Sequence, residues 1–183
     1  MTSIGFLETS SIARGIEAAD AMLKTAAVEL LLLARIPRGK QLVMIGGPLA
    51  DVDHAMRAGL ESAGDTVLDH FTIQRVHEQL PAAIKGLVKV EGKEALGFIE
   101  TKEVASAIYA ADAAVKAAQV WLVEARNQAG GKGLVVLAGD VGAVRAAVAA
   151  GVATVRKDGM LVAEVVIPFA HRDLVKRLTT TAG

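Results

Sequence analysis

Cysteine is absent from all 183 residues. Within this chain that excludes a disulfide, a thiolate metal site, a cysteine-ligated iron–sulfur cluster and a thiol nucleophile. Aromatic residues are scarce, with four Phe, one Trp and one Tyr, so a core must be built from small and aliphatic side chains packed close together. Neither sign of charge is in excess, because 20 Lys plus Arg balance 20 Asp plus Glu. A general nucleic-acid binder normally carries a basic excess, so nucleic acid is not an expected partner. Long apolar runs are missing as well. Near the start, Leu30–Ala34 is uninterrupted but falls far short of the about 20 residues that span a bilayer. Met1–Glu8 lacks the basic start and apolar stretch of a signal peptide. The expectation is a soluble cytoplasmic protein with no membrane partner.

What the chain has in quantity is small and apolar. Apolar residues make up 52% of it, and 34 positions are alanine. That content speaks against disorder. It is also organised as a repeat. Ile4-Gly5-Phe6-Leu7-Glu8-Thr9 recurs 92 residues later as Leu96-Gly97-Phe98-Ile99-Glu100-Thr101, and 23 of the 56 positions from Ile4 to Gly59 are identical to their counterparts at that offset. Such self-similarity marks a duplication. After Gly59 the register slips by two residues, so that Ile73 and His77 face Ile167 and His171. A polar stretch, Lys85–Glu94, contains Gly86 and Gly92. The boundary is therefore placed to give domains of residues 1–91 and 92–183, each long enough for a modest core.

Each copy predicts the same elements. Ser3–Thr9 reads as a strand. Residues 11–26 carry Ile12, Ile16, Ala19, Leu23 and Ala26 at helical spacing, with Ser10 or Ser11 as N-cap. Val28–Arg35 and Gln41–Gly46 read as strands joined by a short loop, Ile36–Lys40. A second helix starts at Pro48, a good first-turn residue, and is expected to bury Val52, Ala55, Met56, Gly59 and Leu60. Asp140 occupies the matching N-cap in the second copy. Thr66–Ile73 is a fourth strand, followed by a short helix around Val76–Ile84. The order β-α-β-β-α-β predicts an α+β fold, the ferredoxin-like arrangement of helices on one face of a four-stranded antiparallel sheet.

The segment Leu134-Val135-Val136-Leu137-Ala138-Gly139-Asp140-Val141-Gly142-Ala143-Val144-Arg145-Ala146-Ala147 resembles the signature of bacterial microcompartment shell proteins. Gly5-Phe6-Leu7-Glu8-Thr9, the Ala-Ala-Asp-Ala-x-x-Lys helix and the Ile167-Pro168-x-x-His171 ending resemble that family too. The likeness covers nearly the whole chain. Two fused domains are similar to the tandem-domain subclass, and within it to the propanediol-utilisation shell trimer that carries an iron–sulfur cluster in its pore. The resemblance implies a pseudohexameric homotrimer that tiles with hexamers into shell facets, beside pentameric shell proteins and around encapsulated enzymes in the bacterial cytoplasm. It implies a central pore for small polar or anionic metabolites, and no enzymatic activity, cofactor or metal.

The resemblance also assigns residues. The pore is expected to be lined by Ile36, Pro37, Arg38 and Gly39 of the first domain and by Gln128, Ala129, Gly130 and Gly131 of the second. Pro37 stands where the cluster-bearing relative has its cysteine, so the cluster is excluded here. Three Arg38 guanidiniums converging on an axis would favour anions. Lys24, Lys116 and Arg75 are expected at the tile edges, with Phe169 and Ala170 standing where a second arginine would be.

Other patterns carry less. Gly130-Gly131-Lys132-Gly133 fails the phosphate-loop spacing, because Arg126 stands where that motif needs a Gly and Gly133 where it needs Ser or Thr. Asp140 would repel an anion at the following helix N-terminus, which leaves it a capping role. His54, His70, His77 and His171 form no metal-ligand spacing, although His77 and His171 are matched repeat positions with a structural or interface role. Glu8 and Glu100, matched in the same way, read as structural and not as a catalytic dyad. The rival reading is a small-molecule-binding regulator or an enzyme on duplicated ferredoxin-like domains, because this fold hosts many functions.

Overall fold

A computed structural model describes residues 3–86, 88–90 and 95–179. The expected domain boundary, between Glu91 and Gly92, lies outside the described residues. The chain forms two compact units. The first is the chain up to Val76 together with Ala129–Gly131, and the second is His77–Gln128 with the residues from Lys132 onward.

In the first unit the order is β1 (Ser3–Thr9), α1 (Ile12–Thr25), β2 (Glu29–Ile36), β3 (Lys40–Gly47), α2 (Leu49–Ala63) and β4 (Val67–Ile73). The strands lie β2-β3-β1-β4, and every neighbouring pair is antiparallel. This is the expected ferredoxin-like sheet. Pairing starts from Ser3 opposite Gly47 and Ile4 opposite Ile73. Because strand side chains alternate between faces, Gly5 and Leu7 point to the helices. Leu7, Val43 and Ile45 join Ala18, Ala19, Met22, Val52, Ala55 and Met56 in the core.

The second unit repeats this with β5 (Ala95–Thr101), α4 (Val104–Ala117), β6 (Trp121–Asn127), β7 (Gly133–Gly139), α5 (Val141–Arg156) and β8 (Leu161–Ile167), in sheet order β6-β7-β5-β8. Even the irregularities recur. The β2–β3 register shifts between Leu30 and Leu32 and the β6–β7 register between Leu122 and Glu124. A second shift follows Glu8 in one sheet and Glu100 in the other. The second unit also holds α3 (Leu80–Lys85) and α6 (Arg172–Thr179). Val175 and Leu178 of α6 pack on a cluster of Val90, Leu96, Val123, Val136 and Ala138.

Several details differ from the sequence expectation. Ser11 is the α1 cap, its Oγ accepting from Arg14 N at 3.4 Å. The buried face of α1 is Gly15, Ala18, Ala19 and Met22, whereas Ile16 and Leu23 are 42% and 41% exposed. Three of these four are small because the helix sits almost on the sheet: a Cβ at Gly15 would lie 2.6 Å from Gln41 and from Thr9. Leu60 is only half-buried, and Ala63 closes the α2 face in its place. Pro48 precedes α2 instead of opening it, and Thr66 ends a short 3-10 turn before β4. Asp140 occupies the N-cap position of α5 but makes no side-chain capping bond.

Helix pairs meet at glycine in both units. A Cβ on Gly59 of α2 would overlap Met22 of α1, and one on Gly151 of α5 would lie 2.7 Å from the Ala110 carbonyl oxygen of α4. Backbone cannot yield as a side-chain tip can. Gly151→Ala is therefore expected to destabilise the fold by about 1–3 kcal/mol, each kcal/mol lowering Tm by about 2–4 °C at this size. Gly142→Ala, at an α5 position with open space around it, should be neutral or slightly stabilising. Thermal unfolding of the two variants checks the contrast, and an unchanged Tm for Gly151→Ala contradicts it.

Candidate functional site

The turn between β2 and β3 is Pro37-Arg38-Gly39. Arg38 has a positive φ of 70° and Gly39 one of 71°. A positive φ is uncommon for a residue with a Cβ, so the turn holds an exposed arginine in a backbone state that costs energy. Such strain persists where the surroundings over-determine it. Ile36 at the strand end is buried and Pro37 half-buried, while Arg38 and Gly39 are exposed.

The matching segment between β6 and β7 is longer. Gln128 is half-buried, Ala129 and Gly130 are exposed, and Gly131 is buried. Gly130 and Gly131 have φ of 76° and 74°. Gly131 has a second reason to lack a side chain, because a Cβ there would lie 2.9 Å from the Pro37 carbonyl oxygen. Within the first unit, Lys40 Nζ donates to the Gly131 carbonyl at 3.1 Å. Gly131 thus lies beside the Pro37–Lys40 turn within the first unit.

Lys40 anchors this arrangement. Its Nζ also lies 3.1 Å from Glu8 Oε1, with the two side chains 7% and 0% exposed. Glu8 is opposite Leu42 in the register, so Lys40 reaches it diagonally on the same face. The second unit contains the same pair, Lys132 Nζ to Glu100 Oε1 at 2.6 Å, but there it is solvent-accessible. The matched glutamates are therefore structural partners of loop-end lysines. Glu124 holds the far side of the second loop, and the sequence expectation did not include it. Its Oε1 accepts from Arg126 Nε at 2.7 Å and from Gln128 Nε2 at 2.6 Å, while Gln128 N donates to the Lys132 carbonyl at 2.7 Å. The available signal was a lone carboxylate in an otherwise apolar strand segment, Trp121–Ala125.

The expected edge residues lie away from these loops. Lys24, in the last turn of α1, pairs with Asp20 at 2.6 Å, and Lys116, in the last turn of α4, pairs with Asp112. Arg75 follows β4 with φ 49°, and Phe169, its repeat counterpart, follows β8 with φ 51° and is 75% exposed. The histidines two residues further on organise these turns. His77 Nδ1 accepts from Gln79 N, and His171 Nδ1 accepts from Asp173 N, both at 3.3 Å. His54 and His70 are exposed. Among the described residues no group of three His, Asp or Glu side chains is placed to hold a metal ion. No described helix is long and apolar enough to cross a membrane.

The arrangement is that of a duplicated α+β domain whose two copies carry unlike loops. Comparison with known proteins identifies its family. The BMC domain matches residues 3–76 and again 95–170. The bacterial microcompartment shell protein PduT of Citrobacter freundii is 42% identical over 178 residues, covering 96% of this chain and 97% of that protein. The shell protein PduA of the same organism is 49% identical over 86 residues, 47% of this chain but 92% of its own length, and is thus one domain long. The crystal structure of a microcompartment protein from Desulfitobacterium hafniense superposes with a TM-score of 0.82 at 49% identity, covering 97% of this chain and 99% of that one. The chain belongs to the BMC-domain family of bacterial microcompartment shell proteins, with two tandem copies of the domain.

The two Glu–Lys pairs yield a direct test. Lys40→Met leaves Glu8 buried without this partner and is expected to cost about 3–5 kcal/mol. Lys132→Met breaks the accessible copy and should cost at most about 1 kcal/mol. Urea unfolding of both variants measures the difference, and equal losses would contradict the assignment of Lys40 as the anchor.

Proposed function

We propose that three copies of this chain form a pseudohexameric ring, a structural tile of a bacterial microcompartment shell with a central pore. One observation carries this reading: within the first unit, Gly131 of the Ala129–Gly131 segment lies against the Pro37–Lys40 turn, and the two stretches differ in chemistry. Six identical chains could not alternate two kinds of loop around an axis, whereas three duplicated chains can. The pore is lined by Ile36, Pro37, Arg38 and Gly39 alternating with Gln128, Ala129, Gly130 and Gly131. Each domain, residues 1–91 and 92–183, supplies one of its six sectors.

The pore conducts small polar or anionic metabolites. Three guanidiniums near one axis create a positive field that a narrow channel concentrates, and arginine stays charged at any physiological pH. The protein acts by enclosing and filtering, not by catalysis. Its partners are the hexameric and pentameric shell proteins around it and the enzymes they enclose, in the bacterial cytoplasm. The tile meets its neighbours through Lys24, Lys116 and Arg75. The family membership favours this reading over a ligand-binding regulator or an enzyme on the same fold.

Two measurements test it. In shells containing Arg38→Glu, flux of an anionic solute should fall relative to a neutral one of the same size, and unchanged flux of both refutes the charged-pore reading. The double variant Lys24→Asp, Lys116→Asp should keep its trimeric mass in solution yet fail to form sheets visible by electron microscopy. Normal sheets from that variant would remove these lysines from the edge.

A further inference from the structure

The two loops differ in where they carry polar chemistry. In the second unit, Glu124, Arg126 and Gln128 stand at alternate positions along β6 and the extended residue that follows it, so their side chains share one face of the strand. Their counterparts 92 residues earlier are Leu32, Ala34 and Ile36, all apolar. At the tips the contrast is reversed. The first loop exposes Arg38, and the matched position in the second is Gly130, with nearly the same positive φ. One loop thus bears its charge at the tip and the other at its root.

The root of the second loop is a closed polar unit. A single oxygen, Glu124 Oε1, accepts from Arg126 Nε at 2.7 Å and from Gln128 Nε2 at 2.6 Å. The Glu124 side chain is 9% exposed and that of Arg126 41%. A carboxylate this deep is costly unless it is paired and hydrogen-bonded, and here both partners come from its own strand face. The contact turns the Gln128 amide back to β6, and the exposed tip beyond it, Ala129-Gly130, has no polar side chain.

The charges at the loop roots therefore cancel. Glu124 offsets Arg126, Glu100 offsets Lys132, and Glu8 offsets Lys40. Arg38 is the exception, since it makes no ion pair with any described residue. Without Glu124, the second loop would carry an uncompensated guanidinium of its own.

We infer that Glu124 sets the selectivity of the proposed pore by neutralising Arg126 at the root of the second loop, so that Arg38 of the first loop alone fixes the field a solute meets. This rests on the pore reading and names a residue that tunes it. Glu124 does not touch the solute. It is a positioning residue that acts through Arg126 and Gln128. The arrangement has a physical rationale in conduction, which needs a site favourable enough to enter yet weak enough to leave. Three uncompensated cations around an axis attract an anion, whereas six would hold it.

Shells assembled from variants test this, with the flux of an anionic and a neutral solute of the same size as the readout. Glu124→Gln keeps an oxygen that can accept from Gln128 but removes one negative charge per chain. The anion-to-neutral flux ratio should rise by about twofold or more, the effect of a unit charge about 10 Å from an ion in water. Arg126→Gln removes one positive charge per chain and should lower the ratio by a similar factor. The double variant Glu124→Gln, Arg126→Gln restores the native charge and should return the ratio to the native value. A purely structural pair would behave otherwise, because a second damaged contact does not repair the first. Single variants that leave the ratio unchanged or move it in the same direction, or a double variant that does not recover, would overturn the role of Glu124. If Glu124→Gln does not assemble, Arg126→Gln decides alone at its half-exposed side chain, and an unchanged ratio overturns the role. Arg38→Glu separates the two readings. A ratio that responds to Arg38→Glu but not to changes at 124 and 126 keeps the charged pore and removes Glu124 from it. A ratio that responds to none of them removes the charged pore, and this inference with it.

Discussion

The close approach of the helices to each other and to the sheet is the constraint on which the rest depends. Gly59 against Met22, and Gly151 against the Ala110 carbonyl, leave no room for a methyl group. Gly5 and Gly97 do the same beneath the second helix of each unit, where a Cβ would overlap Met56 or Val144. Interiors are packed as densely as organic crystals, so a layer this thin must be filled by small side chains. Alanine supplies them: Ala105, Ala107, Ala110, Ala111 and Ala114 are all fully buried on α4. Phe6 and Phe71, 5.1 Å apart between ring centroids, pair across β1 and β4 on the other face of the sheet from Gly5 and Leu7.

The loops depend on that layer. Because the strands are held at fixed register, the carboxylate of Glu8 and the ammonium of Lys40 meet on one face at the end of the sheet. Burying an ion pair costs desolvation that only good geometry offsets. Here Lys40 adds a third partner, the Gly131 carbonyl, so the pair fixes the second loop as well as the first. The same pair at Glu100 and Lys132 is exposed and bears no comparable load. Duplication preserved the interaction, and the environment of each copy decided what it does.

Much of the fold was legible in the sequence because the repeat supplied each reading twice. The four strands of each copy, the Gly-Lys loop ends and the register slip after Gly59 all correspond to structural features at matched positions. The orientation of α1 was not legible. Ile12, Ile16 and Leu23 are large apolar residues at helical spacing, and a hydrophobicity pattern points them inward. The helix instead turns Gly15, Ala18, Ala19 and Met22 inward, and at Gly15 the distance to the sheet, not hydrophobicity, selects the residue. Of the site, the loop positions were readable from the repeat. The anchoring by Glu124 was not, because its counterpart is Leu32 and no repeat signal marks it.

That difference bears on how one duplicated gene product can hold two kinds of surface. The helix-facing sheet positions are constrained in both copies, as Gly5 and Gly97 or Leu7 and Ile99 show. Positions at loops and edges carry no such demand. There the copies have diverged, Pro37-Arg38 against Ala129-Gly130 in the loops and Arg75 against Phe169 in the turns. A chain with one domain must use the same residue at all equivalent places of a symmetric ring. Fusion removes that identity while keeping the shared core, so an arginine can project from one loop while the other, held by Glu124 and Lys40, stays small and uncharged at its tip.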